Sequence, residues 1–140
     1  MNNYIFLAGR LIYALPLLMM GTTHFLKMDA MISYATIRGL PMPQASVVLS
    51  GVVIVLGALS VLLGFRGKIG AWLVAVFLAG SAFTMHQYWN MTDVILAQQE
   101  MANFFKNIIM AGAALMITQT GTGAYSLDAY LARPKAAMAH

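Results

Sequence analysis

Residues 45–64, ASVVLSGVVIVLGALSVLLG, decide the fold class, because none of these positions holds a charged residue. A helix needs about 20 mostly apolar residues to cross the ~30 Å hydrocarbon core of a membrane. Apolar stretches of comparable length lie at 5–23, 69–86 and 104–118. The sequence therefore predicts an all-α integral membrane protein whose single domain is a four-helix bundle.

The composition of the whole chain supports this class. Of its 140 residues, 61% are hydrophobic and only 9% are charged, and a soluble domain of that composition would expose large apolar patches. The basic residues form no run and are not interleaved with aromatic residues, so we expect no nucleic-acid partner. The chain has no cysteine, which excludes disulfides, thiolate metal sites and iron–sulfur ligation, and we predict no metal site.

The segments outside the apolar stretches are expected to lie at the membrane surface. Between the first two stretches, charged residues are mixed with apolar ones, which predicts an interfacial amphipathic helix over 27–38. The segment 87–103, with Asp93 and Glu100, is expected to include another short surface helix. In the tail, 121–140, two glycines follow a helix, and they indicate a helix stop and a turn rather than a nucleotide loop, since no strand precedes them.

The two ends of the chain carry smaller signals. Ser126 and Asp128 are expected to cap a short helix that begins at Ala129. The first stretch, 5–23, is not interpreted as a secretory signal, because no basic region precedes it and Arg10 lies inside it. We therefore expect it to be a permanent first helix.

The distribution of lysine and arginine predicts the orientation. Arg10, Arg66, Lys68, Arg133 and Lys135 fall on the side of both termini, and Lys27, Arg38 and Lys106 fall on the other side. Cytoplasmic loops carry the excess of basic residues in membrane proteins. Both termini are therefore predicted to be cytoplasmic.

Small and polar residues share faces of two predicted helices. The first stretch has such a face at Arg10, Ala14, Leu17, Gly21 and His24, and the third has one at Ala71, Ala75, Ala79, Ala82, His86 and Trp89. Helices in lipid associate through close backbone packing, so these faces should point into the bundle. Arg10 lies ~21 Å from His24 along its helix and so belongs to the opposite end. Snorkelling to the cytoplasmic headgroups would explain Arg10, and an anion or a partner subunit is the alternative.

The two histidines of these faces are the candidate catalytic residues. The first and third helices run parallel in an alternating bundle, so His24 and His86 come to the same membrane face. Trp89, Lys106 and Asn107 join them there as candidate cofactor-binding residues. An imidazole in this position could hydrogen-bond a quinone carbonyl and move its proton, or two imidazoles could ligate a haem, which we favour less. The structural alternative is a membrane-interface anchor, as histidine beside tryptophan often is.

Several short motifs resemble the DoxX family of small four-helix membrane proteins. They are Arg10 with Gly21 and His24-Phe25, Gly39-Leu40-Pro41, Gly57 to Gly64 followed by Phe65-Arg66, His86-Gln87-Tyr88-Trp89, Phe105-Lys106-Asn107 and the ending GTGAYSLD at 121–128. The resemblance implies a four-helix fold in the inner membrane of a prokaryote and an association with membrane redox chemistry. Relatives often place a glutamate where this chain has Ile54. If that carboxylate handles protons in relatives, His24 or His86 would be the candidate for the step here.

Three functions remain open at this stage. The first is a membrane subunit of an oxidoreductase assembly that faces the quinone pool, and whether the chain is itself an enzyme is left open. The second is an accessory subunit that packs against a larger membrane complex without chemistry of its own. The third is small-molecule transport by a homo-oligomer. Besides membrane lipid, the expected partner is thus a larger membrane-protein complex or a second copy of the chain.

Overall fold

A computed structural model describes residues 2–133 of the chain. In order, its helices are α1 (Asn3–Leu26), α2 (Met28–Ile37), α3 (Pro43–Leu63), α4 (Gly67–Met85), α5 (Val94–Thr120) and α6 (Leu127–Leu131), and a 3-10 turn (Tyr88–Asn90) follows α4. Within 2–133 the chain forms no strand. The predictions for the end of the tail, including the topological role of Lys135, lie outside the described residues.

Four segments are long and apolar enough to cross a membrane. They are α1, α3, α5 and the segment Gly67–Asn90, which joins α4 to the turn that follows it. The predicted all-α membrane bundle of four helices is therefore confirmed. The helix α2 lies almost where the interfacial helix was predicted, between the first two spans.

The helix α5 begins earlier than its apolar stretch. The Asp93 carboxylate accepts hydrogen bonds from the backbone N–H groups of Ile95 and Leu96, both at 2.9 Å. This cap satisfies two of the free amides of the first turn, so the helix starts at Val94. Within the segment 87–103, where a short surface helix was expected, Tyr88–Asn90 form a 3-10 turn, and the residues from Val94 onward are the first part of α5.

The spanning helices pack in chain order, α1 on α3, α3 on α4 and α4 on α5. Small residues bring these helices close together. A Cβ on Gly57 of α3 would lie 3.0 Å from the carbonyl oxygen of Gly70 on α4, so a side chain here would force the two helices to shift. The core above it contains Leu17, Ile54 and Leu78, each 1% exposed.

The fourth side of the bundle, between α1 and α5, is packed differently. These two helices make few close backbone approaches among the described residues. Near the middle of both helices, the Tyr13 hydroxyl donates a hydrogen bond to the Met110 carbonyl oxygen at 2.8 Å. Backbone packing is thus extensive on three sides, whereas α1 and α5 meet through side chains, with Leu17, Ala111 and Ala114 in one buried cluster.

Arg10 lies toward the end of the bundle where α1 begins and α5 ends, and it is buried. Its guanidinium donates to the Thr122 carbonyl oxygen and, at 2.6 Å, to the Tyr125 carbonyl oxygen. The interpretation of Arg10 as a residue that snorkels to the headgroups was wrong. Two free carbonyls in the loop after α5 are bound instead by a charged donor from α1.

The segment after α5 also completes the start of α4. Ser126 caps α6 as predicted, because its hydroxyl accepts a hydrogen bond from the Ala129 amide at 3.2 Å. Asp128 does not share this role. Its carboxylate accepts hydrogen bonds from the amides of Arg66 at 2.9 Å and Gly67 at 3.1 Å, and thereby caps α4. The loop after α5 therefore binds α1, and α6 binds the start of α4, at one end of the bundle.

Candidate functional site

A cavity of about 500 Å³ lies at the end of the bundle opposite Arg10. The helices α1 to α5 all contribute to its wall, and most of that wall is apolar. The polar side chains on the wall include His24, Ser50, Ser81, His86, Asn103 and Asn107. An apolar pocket with a few convergent polar groups is typical of a site for a small amphiphilic molecule.

His86 is held at the edge of this cavity by a carboxylate. The helix α4 ends at Met85, and the imidazole Nδ1 of His86 lies 2.6 Å from Oε2 of Glu100 on α5. An ionised carboxylate only accepts hydrogen bonds, so Nδ1 carries the proton in this pair. The ring nitrogen that remains for a ligand is Nε2. Second-shell carboxylates of this kind fix the tautomer and the ring orientation of functional histidines.

Glu100 has two further partners, both on α2. Its Oε1 forms an ion pair with the Arg38 guanidinium, and the Tyr34 hydroxyl lies 3.4 Å away. Arg38 also donates to the Tyr34 hydroxyl at 3.2 Å. The three side chains of the ion pairs are less than one-fifth exposed. Because the cation neutralises the carboxylate, its burial at a membrane-spanning helix is tolerated.

Tyr34 remains a neutral phenol in this network. It lies on α2, outside the spanning helices. Burial raises the pKa of its hydroxyl above the ordinary value, and the hydrogen bond from Arg38 opposes that rise only in part. The hydroxyl therefore keeps its proton near neutral pH and can donate it in a hydrogen bond to Glu100.

Glu100 was missed as a site residue by the sequence analysis. Residues 87–103 were expected at the membrane surface, where an acidic residue needs no partner. A usable signal was present in the spacing, because Glu100, Asn103 and Asn107 recur at intervals of three and four on one face of a helix. Had α5 been extended to its Asp93 cap, Glu100 would have been predicted to face the bundle with the two asparagines.

His24 lines the same cavity from α1. Its ring packs edge-on to Phe77 with centroids 6.2 Å apart, and its Nδ1 lies 3.3 Å from the Met20 carbonyl oxygen. A close helix approach fixes this position, because a Cβ on Gly51 of α3 would lie only 2.8 Å from the Cβ of His24. The structure thus brings the two predicted histidines to one cavity, on helices that run parallel.

The three other predicted residues have different surroundings. Asn107 is buried, and its amide lies 3.4 Å from the Ser81 hydroxyl within the cavity wall. Lys106 lines the cavity and is exposed, with its ammonium donating to Oδ1 of Asn103 at 2.9 Å. Trp89 is not among the lining residues.

Trp89 belongs to an aromatic cluster that follows the C-terminal end of α4. Its ring is 5.1 Å from that of Tyr88 and 5.7 Å from that of Phe104, in both cases edge to face. The residue is half exposed. This position suits an amphipathic ring at the headgroup level better than contact with a molecule in the cavity.

Ile54 occupies the centre of the apolar wall. It is 1% exposed, lines the cavity, and lies against Gly21 of α1. A glutamate at this position, as the family resemblance implies for relatives, would place a carboxylate directly in the cavity. In this chain the carboxylate near the cavity is Glu100, which does not line the cavity but is hydrogen-bonded to His86.

These features define a small integral membrane protein with four spanning helices and an internal cavity, at whose edge a histidine is paired with a carboxylate. The chain belongs to the DoxX family, whose model matches residues 5–87. The matched segment includes α1 to α4 and His86, and it ends before α5 and Glu100. The resemblance seen in the sequence motifs is thereby confirmed.

One similar protein of known location is the inner membrane protein YphA of Escherichia coli (strain K12). It is 34% identical to this chain over 122 residues, which cover 87% of this chain and 86% of YphA. The similarity therefore extends through α5. No solved structure matches the chain.

Proposed function

We propose that the protein is a quinone-binding subunit of an oxidoreductase assembly in the inner membrane of a prokaryote. The cavity would bind the quinone head at the outer side of the membrane, since both termini are predicted to be cytoplasmic. The observation that carries the proposal is the His86–Glu100 pair at the edge of an otherwise apolar cavity. The membrane location of the similar E. coli protein supports the assignment to that membrane.

The polar lining matches the chemistry of a quinone oxygen, which accepts hydrogen bonds. The described residues that line the cavity include His24, His86 and Lys106 and no aspartate or glutamate. Donors are supplied by the Lys106 ammonium and the Asn107 amide as well as the imidazoles. A lining rich in donors favours a carbonyl oxygen and, still more, the negative charge that builds on it during reduction.

His86 would supply the protons of the reaction. Reduction of a quinone to a quinol takes up two electrons and two protons. In this proposal a redox-active partner subunit supplies the electrons. As an imidazolium whose Nδ1–H is bonded to Glu100, His86 donates its Nε2 proton to the quinone oxygen, is protonated again at Nε2 from the outer surface, and repeats the step. Glu100 stabilises the imidazolium between the steps, because its negative charge lies within hydrogen-bonding distance of Nδ1.

A photoreactive azidoquinone tests the proposal on the protein in lipid nanodiscs. We expect saturable labelling of peptides that contain His86 or Asn107, with competition by unlabelled quinone. His86→Ala should weaken that competition about tenfold, which corresponds to one charge-assisted hydrogen bond. The matched control is Gln87→Ala, because Gln87 neighbours His86 in the chain but bonds only to Phe83 and Asn90 in the described structure. Unsaturable labelling of the wild type would overturn the proposal.

The two alternative functions give different results in the same preparation. An accessory subunit without a quinone site would co-purify with its partner complex and show no competition. A transporter built from copies of this chain would show a homo-oligomer by native mass spectrometry, again without competition. A haem bound between His24 and His86 would be seen as a Soret absorption band, which a quinone doesn't give.

A further inference from the structure

We infer that the ligand carries a long apolar tail and enters the cavity sideways from the bilayer, between α1 and α5. Its tail would lie in the gap between these helices, with the head toward His86. The inference rests on the proposed quinone site for the identity of the head group. It adds the subclass of substrate, a lipid-soluble quinone with an isoprenoid or alkyl tail, and the route of entry.

The first support is that the backbones of two neighbouring helices approach each other closely at few points. The pairs α1–α3, α3–α4 and α4–α5 are extensively packed, whereas α1 and α5 have few close backbone approaches among residues 2–133. Residues of both α1 and α5 line the cavity. The cavity therefore borders the one side of the bundle that backbone packing doesn't close.

The second support is the register of the two facing helices. We define the α1–α5 seam by Tyr13, Leu17, Met20 and His24 on α1 and by Asn103, Asn107 and Met110 on α5. Successive members are three or four residues apart, so each set lies on one helix face. Tyr13 and Met110 are hydrogen-bonded to each other, and the other five members all line the cavity. The cavity thus follows the seam from the middle of the helices to the membrane end.

The third support is the change of polarity along this seam. From Tyr13 to His24 the rise along α1 is ~16 Å. The half of this segment nearer Tyr13 lies at the depth of the hydrocarbon region. Leu17 and Met20 line that part with apolar groups, and the polar residues cluster at the other end. This gradient matches a molecule with a polar head at the interface and a tail at hydrocarbon depth.

Met20 marks the lipid side of the opening. It lines the cavity, and it is 46% exposed, whereas Leu17 on the same wall is 1% exposed. A residue that borders both the cavity and the lipid phase stands at a passage between them. Its neighbour Met19 is 70% exposed and doesn't line the cavity, which makes Met19 a control of the same residue type.

The test compares Met20→Trp with Met19→Trp in nanodiscs, by competition against the azidoquinone. Two competitors are used, a quinone with a decyl tail and the same head without a tail, both expressed as mole fraction in the lipid so that partitioning cancels. We expect Met20→Trp to weaken competition by the tailed quinone about tenfold or more and by the tailless one less than about threefold. Met19→Trp should change neither.

The outcomes separate this inference from the proposed function. If both quinones compete for binding to Met20→Trp as well as they do for the wild type, the lateral route is overturned. The head-group site would then still stand. If neither compound competes in the wild type, the quinone site itself is overturned.

A second experiment avoids dependence on one folded variant. A quinone with a diazirine near the end of its tail, bound to the wild-type protein, should label peptides with Tyr13, Leu17 or Met110. Labels confined to the outer faces of α3 and α4 would overturn the route through the α1–α5 seam.

Discussion

Glu100 is the residue on which the site depends most, because it contacts side chains from two other elements. It holds His86 at the end of α4 and Arg38 at the end of α2, and it is buried. Removal of one member of a buried ionic group leaves the others without compensation. The cost of such a change is therefore larger than the value of any one hydrogen bond.

At the residue scale we predict that Glu100→Ala lowers the free energy of unfolding by about 3 kcal/mol. Asp29→Ala is the control, since Asp29 is an exposed acid on α2, and it should cost less than about 0.5 kcal/mol. Tryptophan fluorescence during denaturation by a harsh detergent measures both. Equal stability of the two variants would contradict the ionic network described here.

The histidines of the site could be predicted from sequence, and their carboxylate could not. His24 and His86 stand on helix faces with small residues, and the 3.6-residue period projects such faces into the bundle. Glu100 belongs to a stretch without enough apolar residues to be predicted as a span. Its partners come from α2 and α4, so the distance along the chain hides the contacts.

At the scale of elements, the α3–α4 crossing depends on the absence of side chains. A Cβ at Gly57 would lie 2.9 Å from a methyl group of Val74 and 3.0 Å from the Gly70 carbonyl oxygen. We predict that Gly57→Ala lowers the unfolding midpoint, with a cost of about 1–3 kcal/mol from overpacking. Gly112→Ala, where nothing lies within 4 Å, should be neutral or slightly stabilising because alanine favours helix.

A second prediction at this scale concerns the cap of α4. Asp128→Ala removes the acceptor of the Arg66 and Gly67 amides. We expect a loss of about 1–2 kcal/mol and faster hydrogen exchange of those amides in particular, measured by mass spectrometry. Unchanged exchange at the start of α4 would show that this cap contributes nothing.

Element boundaries were predictable where apolar length decides them and unpredictable where polar caps do. The bounds of α3 follow from an uncharged stretch between Pro43 and Gly64. The start of α5 depends on Asp93, whose role as a cap cannot be distinguished from that of any loop aspartate until the helix is known. Asp128 likewise caps a helix that is distant in sequence rather than its own.

At the scale of the whole molecule, five of the basic residues used to predict the orientation lie at opposite ends of the bundle. Arg10, Arg66 and Lys68 stand at one end, and Lys27 and Arg38 at the other. The separation agrees with the helix order predicted from sequence. The direction in which the bundle lies in the membrane remains a prediction from the positive-inside rule.

The chain contains no cysteine, so single introduced cysteines can test this direction. We predict that Lys27→Cys reacts with a membrane-impermeant maleimide on intact cells, whereas Lys68→Cys reacts only after the cells are opened. Both lysines are exposed, so a difference in reactivity reports on the side of the membrane. The reverse pattern would place the cavity on the cytoplasmic side.

The contact between Asp128 and α4 joins two segments that are made at different times during synthesis of the protein. The ribosome makes the first turn of α4 well before residue 128. The helix therefore inserts into the bilayer while the Arg66 and Gly67 amides still lack their carboxylate acceptor and are hydrated. Asp128 accepts hydrogen bonds from these amides only after residue 128 has been made. A chain cut after Thr120 should therefore insert, yet be degraded faster in pulse-chase labelling than the full chain. Such a cut removes both the cap of α4 and the carbonyl acceptors of Arg10.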